Sequence, residues 1–441
     1  MAKAKSKKIT IEEALVPVEE QEYNIPNNWI WIYQNFVCQL ANGEKMSGEE
    51  YPYLEVKYLR GDTDAEIKDS GRFITANTKV ILVDGENSGE VFEVLEDGYM
   101  GSTFKALNIS EMVNEKYLLY YVDSKRELLK KNKTGSAIPH LNKRLFLGLG
   151  FPLPPLPEQQ RIVEQIEGLF SKLDEVKEKI ECLLDSKKVR CNSVLNKAFT
   201  GKLTAKWREN NNIKFETWEY INFEKIIVEG PQNGMYKPKT SYGSGTKILR
   251  IDCFYDGKLE PWEKLKRLEI TDEEKHTYLL SVNDIVVNRV NSMPYLGKSA
   301  LIRKLPEQCV FESNMMRIKI NIRKANPEYV IRYLNSSIGL QELRKNAKQA
   351  VNQASINQQD VKMVKIALPS LEEQNEIVKI ITSISNKDEA ILNKAEAVIE
   401  EIDLMKKSIL AKAFRGELGT NISKEKNSIE VLKKLIEEKS K

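Results

Sequence analysis

The chain has 441 residues, which is enough for two or three domains with hydrophobic cores of their own. Its apolar content is 41%, and no apolar run approaches the ~18 residues of a membrane-spanning helix, so we expect a soluble globular protein without a membrane partner. A net charge of +4 is small for this length and permits a nucleic-acid partner without requiring one.

The N-terminal segment is basic over residues 1–8 and lacks the apolar core of a signal peptide. We therefore expect a cytoplasmic protein whose residues 1–23 form an N-terminal tail, disordered over its basic start. A tail that binds nucleic acid is the alternative interpretation of the same residues.

Two segments, 24–152 and 213–366, are predicted to be mixed α/β bodies with many short strands. Residues 78–83 and 283–287 are short apolar runs, and each precedes a polar loop. Loops on a rigid scaffold commonly carry recognition residues, so we expect the functional contacts there. We call these segments the first body and the second body.

A long amphipathic helix is predicted after each body, within residues 153–212 (helix and linker) and 367–418, and residues 419–441 are predicted to be a C-terminal tail. Each helix should span about 44 residues, or ~65 Å at ~1.5 Å per residue. Apolar positions alternate in steps of four and three, which is typical of a coiled-coil seam. The predicted inter-helix seam comprises Ile162, Ile166, Leu169, Leu173, Val176, Ile180, Leu183, Lys187, Ile377, Ile381, Ile384, Asp388, Ile391, Val398, Ile402, Met405 and Ile409.

The two helical segments are copies of one another. Leu-Pro-Pro-Leu-Pro-Glu-Gln-Gln at 153–160 returns as Leu-Pro-Ser-Leu-Glu-Glu-Gln-Asn at 368–375. Lys-Ala-Phe-Thr-Gly-Lys-Leu at 197–203 returns at 412–418, with the same separation of 215 residues. A repeat this long is a duplicated half-molecule rather than a solenoid unit, and it predicts pseudo-two-fold symmetry.

This symmetry predicts that the two helices pair antiparallel, with residue i opposite residue 575 − i. Lys187 and Asp388, the polar residues of the seam, then face each other, and Leu173 faces Ile402. A polar pair inside a seam can fix its register. The alternative is that each helix packs only within the core of its own domain.

No catalytic, cofactor or metal site is predicted. The chain has two histidines, His140 and His276, and five scattered cysteines without metal-site spacing. It lacks a phosphate-binding Gly-x-x-x-x-Gly-Lys-Ser/Thr loop and a glycine-rich loop of the methyltransferase kind. Asn-Ser-Met-Pro-Tyr at 291–295 only partly matches the Asn-Pro-Pro-Tyr of adenine methyltransferases, and we interpret it as a loop.

The alternation of variable bodies and repeated helices resembles the specificity (S) subunit of type I restriction-modification enzymes. The motifs that carry the resemblance are Pro-Leu-Pro-Glu-Gln-Gln at 155–160, Leu-Glu-Glu-Gln at 371–374, the Lys-Ala-Phe-x-Gly-x-Leu ends, and the openings around Trp29 and Trp218. The resemblance covers nearly the whole chain. It implies an α+β fold with two target-recognition domains separated by two long helices that form an antiparallel coiled coil.

The resemblance also implies a function. Each recognition domain would read one half of a bipartite double-stranded DNA site, and the helices would set the spacer and dock two methyltransferase (M) subunits. A restriction and motor (R) subunit would complete the assembly, and this chain would itself be non-catalytic.

Within the bodies, residue types that match base edges or phosphates are the candidates for DNA contact. They are Lys57, Arg60, Arg72, Asn87, Ser88, Lys105, Asn233, Tyr236, Lys237, Lys239, Arg250, Arg289, Asn291, Lys298, Asn314 and Arg317. The sequence leaves two other functions open: a coiled-coil adaptor that binds protein partners, and a fused methyltransferase, which the missing motifs disfavour.

Overall fold

The computed structural model describes residues 10–135, 139–255, 258–351 and 353–439. It divides into two compact units: unit 1 is Met1–Ile180 with Ala397–Lys441, and unit 2 is Glu181–Glu396. Each unit therefore combines one body with a part of both long helical segments, and the fold is α+β. The basic residues 1–8, predicted to be disordered, lie outside the described residues.

The first body is built mainly of short strands. Its elements are α1 (Ile11–Ala14), β1 (Ile30–Tyr33), β2 (Cys38–Ala41), β3 (Glu44–Leu54), α2 (Val56–Leu59), β4 (Ile67–Ile74), β5 (Lys79–Leu82), β6 (Val91–Glu93), β7 (Gly98–Met100), β8 (Phe104–Ile109), α3 (Glu115–Ser124), α4 (Arg126–Lys131), α5 (Lys143–Leu147) and β9 (Gly150–Leu153). They form a four-stranded sheet of order β2-β8-β5-β6, a small barrel of β3, β4 and β7, and the pair β1-β9.

The first long segment comprises α6 (Leu156–Asp185) and α7 (Lys187–Phe199). The second body contains a four-stranded sheet of order β11-β20-β16-β18, which corresponds to the β2-β8-β5-β6 sheet of the first body. We call this four-stranded sheet the central sheet of each body. The elements of the second body are α8 (Ala205–Asn210), β10 (Glu219–Asn222), β11 (Ile227–Asn233), β12 (Tyr242–Leu249), β13 (Phe254–Tyr255), β14 (Lys258–Leu259), β15 (Arg267–Leu268), α9 (Asp272–Tyr278), β16 (Ile285–Asn288), β17 (Val290–Asn291), β18 (Ser299–Leu301), β19 (Cys309–Phe311), β20 (Met315–Ile320), α10 (Pro327–Leu334), α11 (Ser337–Arg344), β21 (Lys348–Ala350), β22 (Gln353–Ser355), α12 (Gln358–Lys362) and β23 (Lys365–Leu368).

The second long segment is the single helix α13 (Leu371–Phe414), and α14 (Ile429–Lys439) follows it. Leu432 and Leu435 of α14 are buried in the core of the first body. The predicted C-terminal tail is therefore largely a packed part of unit 1.

A buried carboxylate at the start of each long segment fixes the body to the helices. Trp29 Nε1 donates to Glu158 Oε2 at 2.8 Å in unit 1, and Trp218 Nε1 donates to Glu373 Oε2 at 2.9 Å in unit 2. Both glutamates are fully buried. A buried carboxylate is stable only when its oxygens accept hydrogen bonds, so the glutamate of the repeated motif and the tryptophan that opens each body form one structural unit.

The glutamine after each glutamate makes a second repeated contact. Gln159 Oε1 accepts from the backbone N–H of Asn114 at 2.8 Å, and Gln374 Oε1 accepts from that of Asn326 at 2.8 Å. Both glutamines are fully buried and their amide groups also donate to a proline carbonyl five residues earlier, at 2.9 Å. The Glu-Gln pair of the motif therefore anchors the body in both units.

The end of each long segment packs into the body that belongs to the other repeat. Phe414, at the end of α13, contacts Tyr117 and Tyr121 edge to face with ring centroids 5.3 and 5.1 Å apart. Phe199, at the end of α7, contacts Tyr329 and Tyr333 in the same way at 5.4 and 5.0 Å. The core of the first body therefore includes Phe414 from the second helical segment, and the core of the second body includes Phe199 from the first.

The two buried glutamates differ in their counter-charge. Glu373 Oε1 is 2.5 Å from Arg208 Nη1 and accepts from Thr204 Oγ1 at 2.6 Å. Glu158 accepts instead from Asn421 at 2.8 Å, and its Oε1 has no hydrogen-bond partner among the described residues. Burial consequently raises the pKa of the Glu158 carboxyl, against the opposing effect of its hydrogen bonds.

The first helical segment is interrupted, which corrects the prediction of one continuous helix. Ser186 separates α6 from α7, and Arg190 Nη1 donates to the carbonyl of Leu183 at 2.8 Å beside the interruption. The guanidinium of Arg190 also donates to Asp388 Oδ1 at 3.0 and 3.1 Å. Asp388 is thus paired with Arg190, and the predicted partner Lys187 is exposed, so that predicted pair is wrong.

Within unit 1 the helices run antiparallel, as predicted, but in a shifted register. Lys406 Nζ lies 2.5 Å from Asp174, and Lys177 Nζ lies 3.8 Å from Asp403. Asp174 and Lys177 each lie five residues beyond the position that was predicted to face their partner. Arg190 lies three residues beyond Lys187, the residue predicted to face Asp388. Long cationic side chains reach neighbours about one turn away on a helix surface, which accounts for part of the shift.

The predicted seam is not buried along its full length. Ile162, Ile166, Ile377, Ile381 and Ile402 are buried. By contrast, six apolar seam residues are exposed: Val176, Leu183, Ile384, Ile391, Val398 and Met405. One helix can cover only one side of another, so the middle of the seam leaves an apolar face uncovered. No helix in the described part of the chain is long and apolar enough to cross a membrane.

Candidate nucleic-acid interface

An Asn-Gly pair lies at the end of the equivalent edge strand of the central sheet in both units. Asn42 and Gly43 follow β2, and Asn233 ends β11 before Gly234; both asparagines are exposed. A Cβ on Gly43 would lie 2.4 Å from the carbonyl oxygen of Phe73, and one on Gly234 would lie 2.2 Å from that of Glu312. Only glycine allows this close passage of the backbone, which leaves the preceding asparagine at the surface.

Cations converge on Asn42 in unit 1. Its Oδ1 accepts hydrogen bonds from Lys105 Nζ and, at 2.8 Å, from Arg72 Nη1. Lys45 lies directly opposite Arg72 in the β3–β4 ladder. Burial, together with the nearby Arg72 and Lys143, lowers the pKa of Lys105. Like charges placed opposite one another repel, and a bound anion relieves the repulsion. This cluster is therefore suited to an anion such as a phosphate.

The cation cluster lies at the base of a long ribbon formed by β3 and β4, about half of whose residues are exposed. A two-stranded ribbon fits the major groove of B-DNA. Two other candidates lie beside the sheet, where Lys57 on α2 is exposed and the side chain of Arg60 forms an ion pair with Glu90.

In unit 2, Asn233 lines a surface groove of about 380 Å³ together with Arg289 and the start of α12. The residues that line the groove are Asn233, Arg289, Asn357, Gln358, Gln359 and Lys362. Arg289 Nη1 donates to the carbonyl of Ser313 at 3.0 Å, while its buried Nε has no hydrogen-bond partner among the described residues. Amide and guanidinium groups of this kind match the hydrogen-bonding edges of bases.

The remaining candidates of unit 2 lie in loops around this sheet. Tyr236 is 80% exposed, Lys239 is exposed, and Lys237 lies 2.7 Å from Glu274. Lys298 stacks over the ring of Tyr295 at 4.8 Å. Asn291, the last residue of β17, and Asn314, in a turn, are both half-buried near Arg289.

Several candidates are engaged inside the protein. Ser88 is fully buried, and Asn87 precedes it in a turn, half-buried. Arg317 is buried: its guanidinium donates to the Leu279 carbonyl at 2.6 Å and pairs with Glu229. Burial removes Ser88 and Arg317 from the surface candidates, because Ser88 is enclosed in its turn and Arg317 lies within β20. Arg250 remains half-buried, 3.5 Å from Glu312 and 3.6 Å from Asp252.

Sequence reasoning missed Asn42, Lys45, Lys143 and residues 357–362. Two signals could have identified them. Asn-Gly occurs after the equivalent strand of both bodies, and Asn142 and Asn357, which flank the sequence repeat, each cap a short helix that carries polar or basic residues.

We expect replacement of Arg72 and Lys105 by alanine to weaken DNA binding to all sequences alike. Each lost phosphate contact should reduce the slope of log K against log salt by about one. Fluorescence anisotropy at several salt concentrations measures both effects. Lys172→Ala, on an exposed face of α6, is the control and should change neither; an unchanged slope in the double variant would contradict the assignment.

The family model for the type I restriction modification DNA specificity domain matches residues 37–184 and 192–401. The chain is 29% identical over 295 residues to the type I restriction enzyme EcoKI specificity subunit of Escherichia coli K12, covering 66% of this chain and 63% of that subunit. It is 27% identical over 409 residues to the MjaVIII specificity subunit of Methanocaldococcus jannaschii, covering 89% of this chain and 94% of that one. The match to the EcoKI subunit thus spans somewhat less than two thirds of its length.

Two solved structures share the fold. One is a chain from work on complex assembly and conformational transition of the type I R-M system, with a TM-score of 0.65 and 18% identity, covering 90% of this chain and 100% of that one. The other is the HsdS subunit from Thermoanaerobacter tengcongensis, with a TM-score of 0.56 and 19% identity, covering 91% and 100%. At these identities the likeness concerns the fold alone.

Proposed function

Because the chain belongs to the family of type I restriction-modification DNA specificity proteins, we propose that each of its two bodies reads one half of a bipartite DNA site. The observation that carries this proposal is the repeated arrangement at the sheet edge. Asn42 with Arg72 and Lys105 in unit 1 corresponds to Asn233 beside Arg289 in unit 2. Two equivalent surfaces with different side chains suit two half-sites of different sequence.

The domain boundaries follow from this assignment. The first recognition domain is residues 24–152 and the second is residues 213–366, and the helices between and after them set the spacer. Base recognition falls to the exposed amides and guanidinium groups, and the lysines of the loops bind phosphates.

The helices dock two M subunits in this proposal, and an R subunit completes the restriction assembly. Support comes from two apolar patches at positions related by the sequence repeat. They are Val176 and Leu404 in unit 1, at 44% and 64% exposure, and Ile391 and Val189 in unit 2, at 51% and 71%. Uncovered apolar patches on helices are typical of protein interfaces, and two equivalent patches suit two copies of one partner.

The docking proposal predicts a change of stoichiometry. Leu404→Glu and Val189→Glu each place a charge in one patch, and each alone should reduce the M subunits bound per chain from two to one, as measured by light scattering. Lys172→Glu is the matched surface control. Two M subunits bound to both variants would contradict docking at these patches.

Methylome sequencing tests the function itself. A host that expresses this chain with its M partner should carry methylation at two half-sites with a fixed spacer, and the chain alone should give none. Methylation by the chain alone, or at one uninterrupted site, would overturn the proposal. Duplex DNA that caused no mobility shift would favour the adaptor interpretation instead.

A further inference from the structure

The N-terminal segment covers one edge of β1 in unit 1. Leu15 forms an antiparallel bridge with Ile32, and the N–H of Val16 donates to the Trp31 carbonyl at 3.0 Å. Ala14 is buried in the same core. Strand β1 pairs with β9 along its other edge, so its backbone is enclosed on both sides.

Helix α14 and the turn before it cover the adjoining surface of unit 1. Ser428 Oγ donates to the Asn28 carbonyl at 3.1 Å. At the other end of α14, Lys439 Nζ donates to the Asn35 carbonyl at 2.7 Å and lies 4.2 Å from the ring centroid of Phe36. This surface is therefore occupied by the chain's own terminal segments.

The equivalent surface of unit 2 is open. Strand β10 corresponds to β1 and pairs with β23, but within the described residues no strand or bridge covers its second edge. Tyr220 in that strand is 64% exposed. A groove of about 540 Å³ lies beside it, lined in part by Thr217, Ile221 and Lys225, the counterparts of Asn28, Ile32 and Phe36.

The groove of unit 2 is cationic where the surface of unit 1 is not. Lys225 replaces the aromatic ring of Phe36. Arg323 and Lys324 lie in the loop 321–325, and its counterpart in unit 1, loop 110–113, carries Glu111 and Met112. The three cations are exposed, and none forms an ion pair with a described residue. Such a groove favours an acidic occupant.

We infer that this groove docks an acidic, strand-forming segment of a partner protein. The backbone of the segment would extend the sheet at the open edge of β10, as residues 15–16 do at β1. Its apolar side chains would cover Ile221 and Leu371, and its carboxylates would pair with Lys225, Arg323 and Lys324. Neither DNA reading nor M docking on the helices requires this groove, so the inference stands apart from them.

Two observations favour a polypeptide over DNA. The first is distance: strand β11 leads from Ile227, beside the groove, to Asn233 at the candidate nucleic-acid interface, and these six steps span about 20 Å at ~3.3 Å each. The second observation is that, within the described residues, the strand edge beside the groove is unpaired. An unpaired edge offers alternating N–H and C=O groups that match another peptide backbone.

The test uses the full chain and a fluorescein-labelled peptide with the sequence of residues 10–16, which carries the acidic Glu12 and Glu13 next to Leu15 and Val16, the two residues that pair with β1 in unit 1. We expect saturable binding by fluorescence anisotropy. A variant with Lys225→Glu, Arg323→Glu and Lys324→Glu should bind the peptide at least about tenfold more weakly, because it places like charges opposite the carboxylates.

A second triple variant, with glutamate at the exposed Lys206, Lys266 and Lys304 of unit 2, is the control and should bind like the parent. Absence of saturable binding to the parent, or equal weakening in both variants, would overturn the inference. Displacement of the peptide by duplex DNA would reassign the groove to nucleic acid. A dimer in light scattering that the groove variant disrupts would reassign it to a second copy of this chain.

Discussion

Replacement of Glu373 by alanine is expected to lower the free energy of unfolding of unit 2 by about 3–5 kcal/mol, because it leaves a buried guanidinium without its counter-charge. The side chain of Arg208 is 8% exposed and its Nη1 lies 2.5 Å from Glu373. Trp218 Nε1 and Thr204 Oγ1 lose their acceptor as well. Urea denaturation followed by hydrogen exchange of peptides from unit 2 measures the loss.

The duplicated chain supplies a matched control. Glu158→Ala removes the equivalent carboxylate from unit 1, where no described arginine forms an ion pair with it and Arg161 pairs with Glu425 instead. It should cost only about 1–3 kcal/mol through Trp29 and Asn421. Replacing Arg208 and Glu373 together with apolar residues should recover most of the loss. Equal costs of the two single variants would show that Arg208 is stabilised by other groups.

A change in spacer length is the second large effect that we expect. Four residues inserted before Lys197 add ~6 Å of helical rise and ~400° of rotation, so α7 keeps nearly the same face toward its partner. At ~3.4 Å per base pair, the spacer of the methylated site should lengthen by one or two base pairs while both half-sites stay unchanged.

The same four residues inserted after Asn211, in an exposed turn beyond α8, form the control and should leave the spacer as it is. Methylome sequencing of both insertions beside the parent provides the comparison. An active helix insertion with the parental spacer would mean that the helices only dock partners and do not set the distance between the two recognition domains.

Patterns carried by neighbouring residues predicted the elements well. The four-three spacing of apolar residues predicted α13, and the apolar runs at 78–83 and 283–287 overlap β5 and β16. Such signals lie within one element and do not depend on its neighbours.

Features that depend on distant contacts were missed. The partner of Asp388 is Arg190 rather than Lys187, because side-chain reach and the interruption at Ser186 alter the register. The buried role of the repeated glutamate depends on tryptophans 129 and 155 residues away in the chain. Repetition was the available signal, since tryptophan and glutamate are paired in both halves.

Distant contacts also explain why some of the predicted DNA-contacting residues are at the surface and others are buried. Residue type alone selected Arg317 together with Arg289, although Arg317 is buried against β11 and Arg289 lines a groove. Polar residues in a body of short strands can face inward or outward, and only the completed sheet decides between them. Asn42 was overlooked because it became a candidate only through its contacts with Arg72 and Lys105, which are distant in the sequence.

Exchange of one recognition domain tests whether the two domains read DNA independently. Residues 213–366 are replaced by the corresponding segment of a relative with a different target, the chain is expressed with its M partner, and the methylome is sequenced. We expect one half of the methylated site to change, while the other half and the spacer remain. A change in both halves, or in neither, would contradict two independent reading domains on one chain.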